Sequence, residues 1–289
     1  MPYFLIKGEF HLFYQGKRHV GSQPDGDSVW FKPKNPGNLK DVGGRKAEVN
    51  PGGFVQLRFE GIDALELHFR GAHQERQWAA KARDFTLGQL GFSSVEYSGE
   101  KMLSVKTASP HPRAGYILTR AIDPYGRPVS FVYAGASNHK DGKQVFLDVK
   151  TLNKSINAKL AQSGNAFPAF YTGLPTDLRS RINALARSAR KRGFWPDDKT
   201  LKPTTIADLA KLEELVLWPK VFRRLVSYFK DGNKGVAKFE EWLRADKDRD
   251  DVLWIVPNSE LGNMHDVIIV SGGKLSLRYS PEDLIVVPR

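Results

Sequence analysis

Three short stretches, far apart in the sequence, carry charge in patterns that could do chemistry. They are Asp25-Gly26-Asp27-Ser28-Val29, Arg58-Phe59-Glu60-Gly61-Ile62-Asp63-Ala64-Leu65-Glu66 and Asp123-Pro124-Tyr125-Gly126-Arg127. Taken singly, each has a plain explanation, since Asp-Gly marks a hairpin and Pro-Tyr-Gly-Arg makes an ordinary turn. Taken together they hold the inventory for phosphodiester hydrolysis. Two aspartates from different strand ends can hold a hard divalent cation through oxygen, and a glutamate nearby can orient or deprotonate water. Two arginines can grip a phosphate bidentately.

The elements that must position these residues are mainly strands. Residues 3–13, 27–31, 54–59, 94–97, 116–121 and 129–133 are rich in β-branched and aromatic side chains and are bounded by Gly, Pro or Asp, so short strands are expected there. Several short strands at this spacing suggest a closed barrel. Residues 34–53 carry Pro36, Gly37, Gly43, Gly44, Pro51, Gly52 and Gly53 and read as a long surface loop. Helical composition covers 74–90, 149–162 and 177–192. In the last of these, Leu178, Ile182, Leu185, Ala186 and Ala189 share one face, while Arg179, Arg187, Arg190, Lys191 and Arg192 point elsewhere as a solvated basic face. A composition shift after Trp195-Pro196-Asp197-Asp198 introduces expected helices at 205–230 and 234–245, then a polar run at 246–251, then short strands. We place a domain boundary near 197–204.

Composition narrows the function classes. The chain has 289 residues, and 40% of them are hydrophobic, enough for a real core and against a disordered or fibrous protein. Lys plus Arg outnumber Asp plus Glu by 44 to 32, a formal charge of +12 that favours polyanionic partners. The absence of cysteine removes disulfides, thiolate zinc sites and cysteine nucleophiles. Charge interrupts the N-terminal segment before any apolar run reaches signal-peptide length, and no stretch approaches ~18 apolar residues. A soluble cytoplasmic protein with no membrane contact is the expectation. His68, His73, His111 and His139 lack a zinc-type spacing or an adjacent Ser or Asp pattern, so no histidine chemistry is assigned.

The order of the charged segments resembles the staphylococcal-nuclease (thermonuclease) family: Asp-Gly-Asp before a strand, Arg with Asp five residues on and Glu three beyond, and a later Asp-x-Tyr-Gly-Arg. Downstream, Ser155-Ile156-Asn157-Ala158-Lys159-Leu160 followed by Gly164 resembles that family's second helix, Phe170-Tyr171 its aromatic loop, and residues 177–195 its basic last helix ending in tryptophan. The resemblance covers roughly residues 3–197. It implies an α+β fold, a five-stranded OB-like β-barrel with three packed helices over 1–197, followed by a smaller C-terminal α+β module at 198–289. It also implies a metal-dependent nuclease acting on DNA or RNA, endonucleolytic and leaving 3′-phosphates. Position by position, Asp27, Asp63 and the backbone carbonyl of Ala64 match the metal ligands. Calcium is the implied ion, with Mg2+ or Mn2+ as alternatives. Glu66 matches the residue that positions or activates water, and Arg58 and Arg127 match the phosphate-gripping arginines. Tyr125 and Tyr171 match aromatic contacts to the nucleotide.

The chain departs from that pattern at several positions. Ala64-Leu65 stands where the family has Thr-Pro, Pro124 where a lysine is common, and Ala169 where a second tyrosine is expected. The 34–53 loop has no close counterpart in short family members. Two competing classes need no aspartate pair. One is a non-catalytic OB-fold binder that uses aromatics and a basic groove. The other is a scaffold whose C-terminal part, with Trp218, Phe222, Leu225, Phe229, Phe239 and Trp242 on its helices, meets a protein partner or a second copy.

Overall fold

Apolar side chains placed to face a core make residues Tyr3–His11 the longest early strand, with Tyr3, Leu5, Ile6 and Phe10 buried. A computed structural model describes residues 2–99, 101–192 and 197–288. Its helices are α1 (Arg76–Leu90), α2 (Val149–Leu152), α3 (Ile156–Ser163), α4 (Thr176–Lys191), α5 (Leu209–Glu213), α6 (Pro219–Lys230), α7 (Phe239–Arg244) and α8 (Met264–Val267). The chain is α+β and divides into two compact units. One comprises Met1–Glu60 and Ala82–Leu160, the other Gly61–Lys81 and Ala161–Arg289.

The first unit holds a nearly closed, barrel-like sheet of six strands. Its order is Val55–Gln56, Trp30–Pro33, Tyr3–His11, Arg113–Ile122, Pro128–Ala134 and Arg58–Phe59. The two end strands are one stretch of chain divided at Leu57. On one side Val55 and Gln56 pair with Phe31 and Trp30; on the other Arg58 and Phe59 pair in parallel with Val129 and Ser130. Five residues therefore serve both ends of the sheet, which brings it back on itself and removes most of its free edge. Buried Phe10, Phe31, Phe59 and Phe131 fill the interior. Asn157 on α3 stitches the closure: its side-chain carbonyl accepts from the Val132 amide, and its amide donates to the carbonyls of Glu60 and Ser130.

The single helix expected at 149–162 is two. Asp148 caps α2, the chain turns through Asn153, and the Ser155 hydroxyl accepts from the Ala158 amide to start α3. The loop at 34–53 is more ordered than its glycine content suggests. It contains a 3-10 turn at Pro36–Asp41, and Gly43–Gly44 pairs in parallel with Ala121 and Ile122.

In the second unit, Phe167–Tyr171 is a central strand, antiparallel to Gly61–Asp63 on one side and parallel to Leu284–Val287 on the other. Phe170-Tyr171 is thus the end of a strand rather than an aromatic loop. Leu284–Val287 continues to Val252–Ile255 and then Glu260–Asn263, so this sheet draws on both sides of residues 197–204. On α4 the five apolar residues read from the sequence are all buried. Its basic face is not simply solvated: Arg187 reaches Asp283 at 2.6 Å, and Arg190 pairs with Glu282 and Asp198. Trp195 lies outside the described residues. The helix expected at 205–230 is interrupted, because Asp208 caps the short α5 and Pro219 at the first turn of α6 dictates a separate start. Among the described residues no helix is long and apolar enough to cross a membrane.

One buried carboxylate in the barrel unit carries a pH signature. Glu60 lies 3.1 Å from Arg120, yet burial outweighs that guanidinium and pushes its carboxyl up to about 7. A folded-state pKa above the unfolded one stabilises at low pH, and that contribution is lost as pH rises through about 7. Relative to Glu60→Gln, which does not titrate, the wild-type chain is expected to lose roughly 3 kcal/mol between pH 4.5 and 7. Urea denaturation of both proteins across that range checks this, and parallel curves would contradict it.

Candidate functional site

Of the residues singled out by their chemistry, Asp27, Arg58, Tyr125 and Arg127 belong to the barrel unit, and Asp63, Ala64, Glu66 and Tyr171 to the other. Each unit contains a centre of its own.

In the barrel unit the centre is organised by Asp123, at the turn between Arg113–Ile122 and Pro128–Ala134. Its Oδ1 accepts from the amides of Tyr125 and Arg127, each at 2.9 Å. Its Oδ2 accepts from Arg127 Nε at 2.8 Å and Nη2 at 2.7 Å, while Arg58 Nη1 lies 4.0 Å from the same oxygen. One buried carboxylate thus holds the tight turn and gathers both arginines. Gly126 is required here. It has φ +77°, and a Cβ on it would come 2.8 Å from the Glu48 amide, which donates to the Gly126 carbonyl. The backbone carbonyl of Asp27 accepts from Phe59 N at 3.0 Å, next to Arg58 in sequence. Thr86 of α1 fixes the adjoining turn by donating to the Gly26 carbonyl.

Beside this charged cluster lies a cleft of about 330 Å³, lined by Trp30, Phe54, Tyr125 and Arg127 with Glu48 and Asn50. Trp30 and Phe54 stack with ring planes 3° apart and centroids 5.6 Å apart. Tyr125 is 73% exposed, and the Arg127 guanidinium sits 5.4 Å from its ring centre. The Asn50 side chain shapes the wall by accepting from the amides of Gly52 and Phe54. The cleft therefore sets aromatic rings beside a guanidinium.

The second centre is built from Asp63 and Glu66. Asp63, 5% exposed, ends the strand Gly61–Asp63, and buried Ala64 and Leu65 follow it. The Glu66 amide donates to the Gln74 side chain, the Gln74 amide to the Glu66 carbonyl, and the Gln74 side-chain amide to the Leu217 carbonyl just before α6. Fully buried Gln74 therefore fixes Glu66 relative to α6. From α6, Arg223 reaches both carboxylates. Nη1 lies 3.0 Å from Asp63 Oδ1 and 2.5 Å from Glu66 Oε1, and Nη2 lies 2.6 Å from Asp63 Oδ2. Burial alone would pull the Arg223 pKa down, but Asp63 and Glu66 hold it well above the usual arginine value. The neighbouring cations of α6 are engaged elsewhere. Lys220 and Arg224 bind Asp251 at 3.0 and 2.8 Å, and they keep its carboxyl below the usual range although burial pushes it up. Lys220 also lies 5.6 Å from the ring centre of Tyr171.

The fit of a calcium ion can be judged from these contacts. Calcium needs six to eight oxygens at about 2.3–2.6 Å. Both oxygens of Asp63 and one of Glu66 are turned onto a guanidinium instead. Among the described residues no three His, Cys, Asp or Glu side chains gather into a group that could hold a metal ion. The residues as arranged do not fit the ion that the resemblance implies.

Asp123, Gln74 and Arg223 are the functional residues that sequence reasoning missed. Asp123 stood inside a quoted motif, but its tie to both arginines depends on the turn geometry. His111, stacked on Phe13 at 4.0 Å and accepting from the Leu12 amide, is pushed down to about 4 by burial and is a neutral packing residue at pH 7. Asp123→Ala is expected to destabilise the chain by about 2–3 kcal/mol, less than the ~3–5 kcal/mol for breaking a fully buried ion pair, because Arg127 is 32% exposed. Asp123→Asn, which retains the acceptor for two backbone amides, costs less, and urea denaturation ranks the two variants. No protein-family model and no curated protein matches the chain.

Proposed function

We propose that this chain acts on nucleic acid as a phosphodiesterase similar to the staphylococcal-nuclease type, with its six-stranded sheet read as an OB-like barrel. The observation that supports this most is the pairing of two guanidiniums on one carboxylate, Arg58 and Arg127 on Asp123, beside a cleft lined with Trp30, Phe54 and Tyr125. Phosphodiesters are anionic, and the transition state of their hydrolysis gathers more charge on the phosphoryl oxygens. Paired arginines neutralise that charge through donors already in position. In the family resemblance Glu66 orients or deprotonates the attacking water. The aromatic cleft accounts for a base neighbouring the phosphate and suits single strands, whose bases are free to stack. A formal charge of +12 assists encounter with any polyanion.

A second reading has a specific observation in its favour. Arg223 holds Asp63 and Glu66, and a chain that binds nucleic acid without cutting it has no need to expose that pair. Incubation with plasmid, single-stranded DNA and RNA, with calcium, magnesium, manganese or chelator, separates the two readings. Cleavage supports the phosphodiesterase, whereas retention of intact strands under every condition supports the binder.

Two further outcomes are expected of the phosphodiesterase. Arg58→Ala, Arg127→Ala and Glu66→Ala each lower the cleavage rate by ~10²–10³ while strand binding persists, the usual effect of removing one preorganised charge. Wild-type cutting by Arg127→Ala would remove the site assignment. Trp30→Ala weakens binding of a short single strand by about 1–3 kcal/mol, the weight of one base stacked on an aromatic ring, as fluorescence anisotropy can read.

A further inference from the structure

We propose that Arg223 replaces a divalent cation at the carboxylate pair of Asp63 and Glu66, so that this chain carries the pair bound to its own guanidinium and takes up no calcium there. The inference deepens the phosphodiesterase reading, because it concerns the pair which that reading associates with a metal, but its geometry stands apart from any activity.

Three observations carry it. First, guanidinium and cation would compete for one position. A guanidinium with nitrogens 2.6 and 3.0 Å from the two oxygens of Asp63 occupies the bidentate position between them, and its Nη1 also holds Glu66 Oε1 at 2.5 Å. Calcium would have to stand at about 2.3–2.6 Å from those same oxygens. Second, Arg223 is delivered from a rigid base. Pro219 starts α6 with a fixed φ, and Trp218, Phe222, Leu225 and Val226 are buried. The Arg223 side chain is only 23% exposed. Third, the arrangement is supported on both sides. Gln74 links the Glu66 backbone to Leu217 at the entry to α6, and Lys220 and Arg224 are held on Asp251, so they do not compete for Asp63. The planar fork of arginine matches this task in a way that a lysine ammonium does not.

The test is calorimetric titration of calcium into the full chain, with thermal unfolding in calcium and in chelator as a second readout. The proteins compared are wild type, Arg223→Ala and the double variant Arg223→Ala/Asp63→Asn. Wild type is expected to show no saturable binding, and its unfolding temperature should not respond to calcium. Arg223→Ala is expected to bind at least about 100-fold more tightly than wild type, the equivalent of one or two charge-assisted hydrogen bonds no longer in competition, and to gain thermal stability with calcium. The double variant should lose that binding. If Arg223→Ala does not fold in chelator, Arg223→Lys carries the same comparison, since an ammonium lacks the planar fork that takes both oxygens of Asp63 at once.

Calcium binding by wild type that Asp63→Asn abolishes would overturn the proposal. So would a folded Arg223→Ala or Arg223→Lys that binds no better than wild type. Failure of every variant to cut nucleic acid, with the calcium pattern as expected, would remove the phosphodiesterase reading and leave the cation replacement standing.

Discussion

A carboxylate withdrawn from water must find a cation, and that requirement shapes both centres. The penalty for burying an unpaired ion is several kcal/mol even after the surroundings relax. Asp123 meets it with Arg127 and Arg58, Asp63 and Glu66 with Arg223, Asp251 with Lys220 and Arg224, and Glu282 with Arg190. Each pairing fixes more than charge. At Asp123 the second carboxylate oxygen closes the turn onto two backbone amides, so the same group that holds the arginines also dictates the path of the chain. At Asp63 the pairing ties the end of a strand to a helix 160 residues later. Glu60 is the informative exception. Burial drives it toward its neutral form even with Arg120 beside it.

What the sequence made legible is what short-range periodicity encodes. Runs of β-branched and aromatic residues bounded by Gly, Pro or Asp exposed the barrel strands, and the five-residue apolar face of α4 was readable at helical spacing and is buried. Elements defined by a local competition were misread. Ser155 is a helix-starting residue, but the helix-forming residues around it masked the break between α2 and α3. Phe167–Tyr171 is apolar throughout, and Pro168 argues against a central strand, yet the strand forms because its remaining amides and carbonyls find partners on two sides. At Pro219 the proline that starts α6 was absorbed into a longer expected helix.

The candidate site was legible in its residue types and not in its pairings. Arg58, Arg127, Asp63 and Glu66 could be selected because charge at strand ends is hard to explain by packing. Arg223 could not. It sits between Lys220 and Arg224 on an amphipathic helix, where three basic residues in five positions look like one solvated face. Only the fold reveals that Lys220 and Arg224 share one carboxylate while Arg223 takes two others. No periodicity carries that information, because it depends on which strand end meets which turn of the helix.

Around Arg223 two carboxylates face one guanidinium, a surplus of one negative charge. At about 4 Å and an effective dielectric near 20, one unit charge acts on another with about 4 kcal/mol, so that surplus favours a cation over an anion there. Arg223 halves the negative charge of that pair without cancelling it. Withdrawing the guanidinium would restore two full negative charges in a place that is mostly shielded from water, a state that demands another cation at once. Arginine at position 223 is for that reason more than a stabilising contact: it decides whether Asp63 and Glu66 are a metal site at all.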